Sequence, residues 1–261
     1  MMKTKRMMWG GGAVLAMTLM FSSCAYELKS FNHDDGERLS SVRQLKGFEE
    51  VEILGSPTVV YTQADSFSVK LEGTKTAIDD VIVEVKGKRL CVRNRGKIGI
   101  VHITRIGDSG VTVFVTSPDL TAIRLSGSGD FYSERRIDTD KMEVSLRGSG
   151  DIRLSDVICD DCQVGLVGSG DIGIGRLESR VVSASLTGSG DVHMKLRHVV
   201  STRLALKGSG DIDADFREGC RSVECELRGS GDISLSGTVG RISKQKSGSG
   251  DIDTGKLTIK D

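Results

Sequence analysis

Leu166-Val167-Gly168-Ser169-Gly170-Asp171-Ile172 is the stretch on which the fold turns, because the chain repeats it. Gly-Ser-Gly-Asp occurs seven times, as Gly127-Ser128-Gly129-Asp130, Gly148-Ser149-Gly150-Asp151, Gly168-Ser169-Gly170-Asp171, Gly188-Ser189-Gly190-Asp191, Gly208-Ser209-Gly210-Asp211, Gly229-Ser230-Gly231-Asp232 and Gly248-Ser249-Gly250-Asp251. Successive motifs open 21, 20, 20, 20, 21 and 19 residues apart, and a fixed period of this size marks a stacked architecture. Two positions before each first glycine stand Leu125, Leu146, Leu166, Leu186, Leu206 and Leu227. Four before it stand Ile123, Val144, Val164, Ala184, Leu204 and Cys225. Directly after each aspartate come Phe131, Ile152, Ile172, Val192, Ile212, Ile233 and Ile252. Apolar residues at alternate positions on both sides of a glycine corner describe short strands with one buried face.

Each unit therefore reads as one coil of an all-β fold, a parallel β-helix or solenoid with ~20-residue coils stacked at the ~4.8 Å strand spacing. A right-handed winding is expected from strand twist. A third apolar site six or seven residues after the aspartate, at Ile137, Val157, Leu177, Val239 and Leu257, predicts a third side to the coil. No window carries a 3.6-residue period of useful length, so helix is expected to be negligible. In the last coil Lys244 and Lys246 stand where the core columns should run, the polar terminal repeat with which a solenoid closes its open edge.

Residues 42–120 lack the motif but are rich in strands, such as Val51-Glu52-Ile53, Phe67-Ser68-Val69-Lys70-Leu71, Val81-Ile82-Val83-Glu84-Val85 and Val111-Thr112-Val113-Phe114-Val115. Turns are marked at Gly55-Ser56-Pro57, Lys86-Gly87-Lys88 and Gly107-Asp108-Ser109-Gly110. Irregular coils continuous with residues 121–261 are the favoured reading, giving one domain over 42–261. An antiparallel cap is the alternative, for which Lys86-Gly87-Lys88 would form a hairpin.

Thirty-three glycines among 261 residues exceed the ordinary ~7%, yet their spacing excludes collagen. With 38% hydrophobic residues and no net charge the chain is not a disordered one. Lys+Arg equals Asp+Glu at 36 each, so nothing points to nucleic acid as a partner.

The first 23 residues read as an export signal. Lys3, Lys5 and Arg6 form a basic start, and Ala13 to Phe21 form an apolar stretch too short to span ~30 Å of hydrocarbon. Ser22-Ser23-Cys24 resembles the lipobox of bacterial lipoproteins, which implies cleavage before Cys24 and its acylation, and so a membrane anchor. Residues 24–41 read as the lipidated cysteine and a flexible tether. Ala25 after that cysteine resembles the pattern that sorts lipoproteins to an outer membrane. The periplasmic or surface face stays open.

Leu45-Lys46-Gly47-Phe48-Glu49-Glu50-Val51, then Pro118-Asp119-Leu120-Thr121-Ala122-Ile123 leading into Gly-Ser-Gly-Asp coils, resembles the head GIN domain of auto-transporter adhesins over about residues 42–261. The resemblance implies a β-helix on a bacterial envelope protein, without an established activity.

Candidate chemistry starts with the column Asp130, Asp151, Asp171, Asp191, Asp211, Asp232 and Asp251. Carboxylates ~4.8 Å apart repel by ~0.9 kcal/mol per pair in bulk water, so something must offset the charge. The structural reading has each aspartate accept amide bonds at its own glycine corner, in an Asx-turn, with one of the two glycines supplying a positive φ. Arg147, Lys207 and Arg228 beside the motif would soften the field. The alternative is a calcium-binding solenoid, but one aspartate per coil is a thin ligand set for a six-to-eight-oxygen ion. Gly168 to Gly173 matches a dinucleotide fingerprint by letter only, since no helix is expected to follow. Ser189, Asp191 and His193 do not form a plausible relay across a glycine corner.

Beyond Cys24 lie Cys91, Cys159, Cys162, Cys220 and Cys225. The pairs 159/162 and 220/225 are three coils apart, too far to share zinc. Core packing is the expected role, with a local disulfide within either pair open in an oxidising envelope. A β-helix polysaccharide hydrolase or lyase is the enzymatic alternative. The even coil length leaves no walls for a cleft, and beyond residue 24 there is no tryptophan and only Tyr26, Tyr61 and Tyr132. The expected function is a non-catalytic, membrane-anchored module for adhesion, protein binding or scaffolding, with no cofactor. Its partner would be an envelope protein or extracellular ligand. The outward strip Ser145, Gly165, Ser185 and Ala205 could pack on a partner solenoid, including a second copy, or be a solvated face.

Overall fold

A computed structural model describes residues 38–96 and 110–260, which lie within one compact unit, Gly36–Asp261. The export signal, Cys24, most of the expected tether and most of the Gly107–Gly110 turn lie outside the described residues. Before the repeats come β1 (Leu39–Arg43), β2 (Glu50–Gly55), β3 (Thr58–Gln63), β4 (Ser68–Gly73), the helix α1 (Lys75–Asp79), β5 (Val81–Lys86), β6 (Arg89–Asn94) and β7 (Thr112–Ser117). The repeats supply β8 (Ala122–Gly127), β9 (Asp130–Asp138), β10 (Lys141–Gly148), β11 (Asp151–Gly168), β12 (Asp171–Gly188), β13 (Asp191–Arg197), β14 (Val199–Gly208), β15 (Asp211–Gly229), β16 (Ile233–Gly248) and β17 (Ile252–Ile259).

From β8 to β17 every coil lies parallel on the next, in register along its sides with shifts only at or near the corners, which makes the region a parallel β-solenoid. Leu125, Leu146, Leu166, Leu186, Leu206 and Leu227 stack as one column, and Phe131, Ile152, Ile172, Val192, Ile212, Ile233 and Ile252 as another. Within β11, seven side chains turn inward: Ile152 and Leu154, then Val157 and Cys159, then Cys162, Val164 and Leu166. Alternation breaks twice, after Leu154 and after Cys159, so each coil has three sides, and the interior fills with aliphatic side chains.

The third apolar column differs from its sequence reading. It runs Ile137, Val157, Leu177, Leu196, Phe216, Gly237 and Leu257, while Val239 belongs to the next column, over Cys220. Register shifts at the corner after the first side absorb a residue in some coils, and counting from the aspartate misses this.

The N-terminal end also departs from expectation. β2 and β3 form a coil beneath β8 and β9, and β6 and β7 lie parallel beneath β2 and β3. Chain order is therefore not stacking order. β4 then runs antiparallel to β7, β1 antiparallel to β4, and β5 antiparallel to β6 through the Lys86-Gly87-Lys88 hairpin. The favoured continuous coils are realised only in part: an antiparallel layer closes them. The reason is edge protection, since the lowest parallel coil leaves its backbone groups open and a returning strand satisfies them. β1 starts at Leu39, inside the stretch expected to be tether. Helix is not wholly absent either, because α1 forms one short turn capped by Thr74, whose Oγ1 accepts the Ala77 amide at 3.3 Å.

A chain of charges ties this end to the repeats. Glu50 accepts Arg89 Nε at 3.0 Å and Arg124 at 2.6 Å, and Arg124 also reaches Glu143 at 2.6 Å. Burial opposes ionisation of Glu50, but the two arginines outweigh it and hold its carboxyl below the usual range. At the other end Lys244 and Lys246 do occupy the two core columns, over Cys225 and Leu227. Lys244 Nζ bonds Thr254 Oγ1 at 2.7 Å and Lys246 reaches Asp251 at 3.4 Å, so the stems cover apolar side chains while the charges stay at the rim.

Candidate functional site

The glycine corners come first because everything else hangs from them. The first glycine of each motif has φ between +126° and +142°, which settles which of the two supplies the left-handed geometry. A Cβ on Gly168 would strike the Gly148 carbonyl oxygen, and one on Gly170 the Gly150 carbonyl oxygen. The same collisions recur from coil to coil, so the corners stack backbone on backbone. The Gly148 carbonyl accepts the amides of Ser169 (2.9 Å) and Gly170 (3.2 Å) from the next coil.

The aspartates form a ladder, though of a different kind from the expected Asx-turn. Asp130 Oδ1 accepts the amide of Asp151 on the next coil at 3.2 Å, and Asp171, Asp191, Asp211 and Asp232 repeat this with Asp191, Asp211, Asp232 and Asp251 at 2.7–3.2 Å. The Asp171 amide turns instead to the Gly150 carbonyl, at 3.3 Å, and that of Asp130, which opens the column, to the Pro57 carbonyl at 3.2 Å. Asp151 pairs with Arg153 at 3.0 Å and Asp251 with Lys246. Arg228, expected to soften this field, instead pairs with Glu226. One carboxylate oxygen per coil is thus generally committed to an amide donor, and no group of three or more His, Cys, Asp or Glu side chains with metal-holding geometry occurs among the described residues.

The outward face of the first side carries a groove. It has a volume of about 540 Å³ and crosses five coils, with Gly173 and Gly175 as its low floor at one end. His193, Lys195, Asp213 and Asp215 rise along it, and Lys256 closes the far end. His193 Nδ1 lies 2.8 Å from Asp213 Oδ2, and Asp215 accepts Arg217 Nε at 2.7 Å. His193 is thereby engaged one coil away from Asp191, and no hydrogen bond joins Ser189, Asp191 and His193 among the described residues. The groove was missed in the sequence because its members come from the outward positions of separate coils. The signal for it was the pair Gly173 and Gly175, small residues at successive outward positions.

The five described cysteines are free and buried. Burial pushes Cys225 and Cys91 up to about 11, and raises Cys220. Neither local pair forms a disulfide. The strip Ser145, Gly165, Ser185 and Ala205 lies in register along the third side as an open, flat face.

In fold the chain is similar to a "putative adhesin" from Bacteroides fragilis NCTC 9343, with 20% identity, a TM-score of 0.65 and coverage of 82% of this chain and 95% of that one. It is similar to a "putative adhesin" from Parabacteroides distasonis ATCC 8503, with 18% identity, a TM-score of 0.67 and coverage of 83% and 96%. A "putative lipid binding protein" from the same organism matches at 22% identity, TM-score 0.64, covering 84% and 98%. No curated protein matches the chain. Residues 47–213 and 179–261 match the family described as "Putative auto-transporter adhesin, head GIN domain", and since all seven Gly-Ser-Gly-Asp corners fall within them, the chain belongs to that family.

Proposed function

We propose that the protein is a lipid-anchored envelope protein whose solenoid is a non-catalytic binding module. The observation that carries this is the shallow groove on the first side: it spans several coils, carries charges of both signs, and its histidine is held by Asp213. Such a surface suits adhesion to a polar, extended ligand such as a glycan or peptide. It does not suit an acyl chain, so the lipid binding named for one structural relative is not carried over. Family membership supports an envelope or surface setting, and the Ser22-Ser23-Cys24 motif supports an acyl anchor there.

Two measurements test the proposal. Fractionation of cells expressing Cys24→Ala is expected to move the protein from membranes to the soluble fraction, and retention would overturn the anchor. Glycan and peptide arrays probed with this protein, beside a Lys195→Glu/Lys256→Glu variant, are expected to show binding that the variant loses. Equal binding by both would remove the groove from the function, and release of reducing ends from a bound polysaccharide would overturn the non-catalytic reading.

A further inference from the structure

The corner between the second and third sides holds two thiols against each other. Cys159 ends the second side of its coil and Cys162 opens the third, with Asp160 and Asp161 turning the chain between them. Both point inward at the same bend, three residues apart, and each thiol shifts the titration of the other. Their exposure differs: Cys162 is fully enclosed, whereas Cys159 keeps 6% of its surface and borders a cleft of about 280 Å³ at this corner. Cys159 is therefore the member of the pair that faces the cleft.

The surroundings of Cys159 are polar for a core position. Ser179 lies in register with Cys159 on the next coil, and its Oγ donates to the Asp160 carbonyl at 3.2 Å and the Val181 carbonyl at 3.0 Å. On the preceding coil Thr139, whose amide donates to the Ile158 carbonyl at 3.0 Å, lines the same cleft. Its Oγ1 is buried without a hydrogen-bond partner, a spare donor beside the sulfur's path. By contrast Cys220, in the same column, is already committed to the Ser222 carbonyl at 3.2 Å.

We propose that Cys159 and Cys162 form a reversible dithiol–disulfide site that exchanges with small cationic disulfides entering through this cleft. Cys159 gives its proton to solvent, and its thiolate attacks one sulfur of the incoming disulfide. That S–S bond breaks, and the other sulfur leaves and takes up a proton. Cys162 then loses its proton and attacks the Cys159 sulfur, expelling the first sulfur as a second free thiol. Two cysteine thiols are oxidised and one disulfide is reduced to two thiols, so the incoming disulfide is the sole oxidant.

The division of labour follows the local chemistry. Cys159 alone of the five described cysteines is held below the ordinary thiol range, because the neighbouring Cys162 side chain outweighs burial. The proximity of Cys159, with burial, pushes Cys162 well above it, as suits the sulfur that acts second. Asp138, Asp140, Asp160 and Glu178 line the cleft against Arg180 and His198, an acidic balance that favours a cationic disulfide over an anionic one.

The test uses the chain carrying Cys24→Ala, reduced and then exposed under native conditions to cystamine or to oxidised glutathione, with every thiol mapped by peptide mass spectrometry. The expected result is loss of two hydrogens between Cys159 and Cys162, faster with cystamine, while Cys91, Cys220 and Cys225 stay reduced. In Cys162→Ser the mixed disulfide on Cys159 should accumulate. The site is refuted if Cys159 and Cys162 remain thiols in the native protein, or if Cys220 and Cys225 oxidise as fast. Faster reaction with oxidised glutathione would overturn the assignment of a cationic substrate.

Discussion

Gly188 and Gly87 both adopt positive φ, +134° and +62°, yet their neighbours have nothing in common. A Cβ on Gly188, in the repeat stack, would meet the Gly168 carbonyl oxygen and carbon. One on Gly87, in the β5–β6 hairpin, would meet nothing within 4 Å. The stack is held by close backbone-to-backbone contact repeated from coil to coil, so its corners tolerate no side chain at all. The N-terminal end is held by reversed strands and by individual charge pairs such as Arg124 with Glu50 and Glu143, each made once. Repetition yields close tolerance, and a closing cap is built from singular contacts.

The sharpest way to break this comparison is to add one methyl group at each glycine. Gly188→Ala combines backbone strain with a collision that neither coil can relieve alone, and is expected to cost about 4 kcal/mol or more. Gly87→Ala carries the strain alone, about 1 kcal/mol. Urea denaturation of both variants checks this, and similar costs would mean that the corners do not stack as described.

The next effect lies in the core. Leu186 stands between Leu166 and Leu206 and is 1% exposed, so Leu186→Ala should cost ~2–5 kcal/mol. Lys246 holds the corresponding position in the last coil, where Lys246→Ala should lie within ~0.5 kcal/mol of neutral. Hydrogen exchange should show lost protection in the coils on both sides of Leu186. Unchanged protection there would break the idea that neighbouring coils share one column.

The smallest effect concerns the aspartate ladder. Asp191 Oδ1 accepts the Asp211 amide at 3.1 Å, so Asp191→Ala should lose about 1 kcal/mol. Asp191→Asn keeps an acceptor and removes a charge from a row of like charges, and should come out near neutral. Thermal melts of the two variants, with and without millimolar calcium, separate the readings. A calcium-dependent rise in Tm that Asp191→Asn abolishes would turn the ladder into an ion site.

Most of the repeat region was legible because its information is periodic. The leucine and isoleucine columns, the glycine corners and the two closing lysines each follow from counting along the chain, since a parallel stack in register places equal offsets on top of one another. The third column escaped the count at Leu196, Phe216 and Val239, where a corner absorbs a residue and offset ceases to equal position. The functional surfaces were less legible. His193 and Asp213, or Lys195 and Asp215, are a coil apart, and an outward position carries no apolar signature to mark it.

What the amino-acid sequence determined by itself is the all-β repeat, its ~20-residue coil, the family resemblance and the polar close at Lys244 and Lys246, because each is written in local spacing. Tertiary structure decided the rest. It set β2 and β3 between β6–β7 and β8–β9, against chain order, because an open parallel edge must find a partner wherever the chain can supply one. It turned the aspartates from their own corners to the next coil, because the amide that needs an acceptor lies there. It also turned Cys159 and Cys162 toward the same interior, since only a bend between two sides can bury residues three apart on one face.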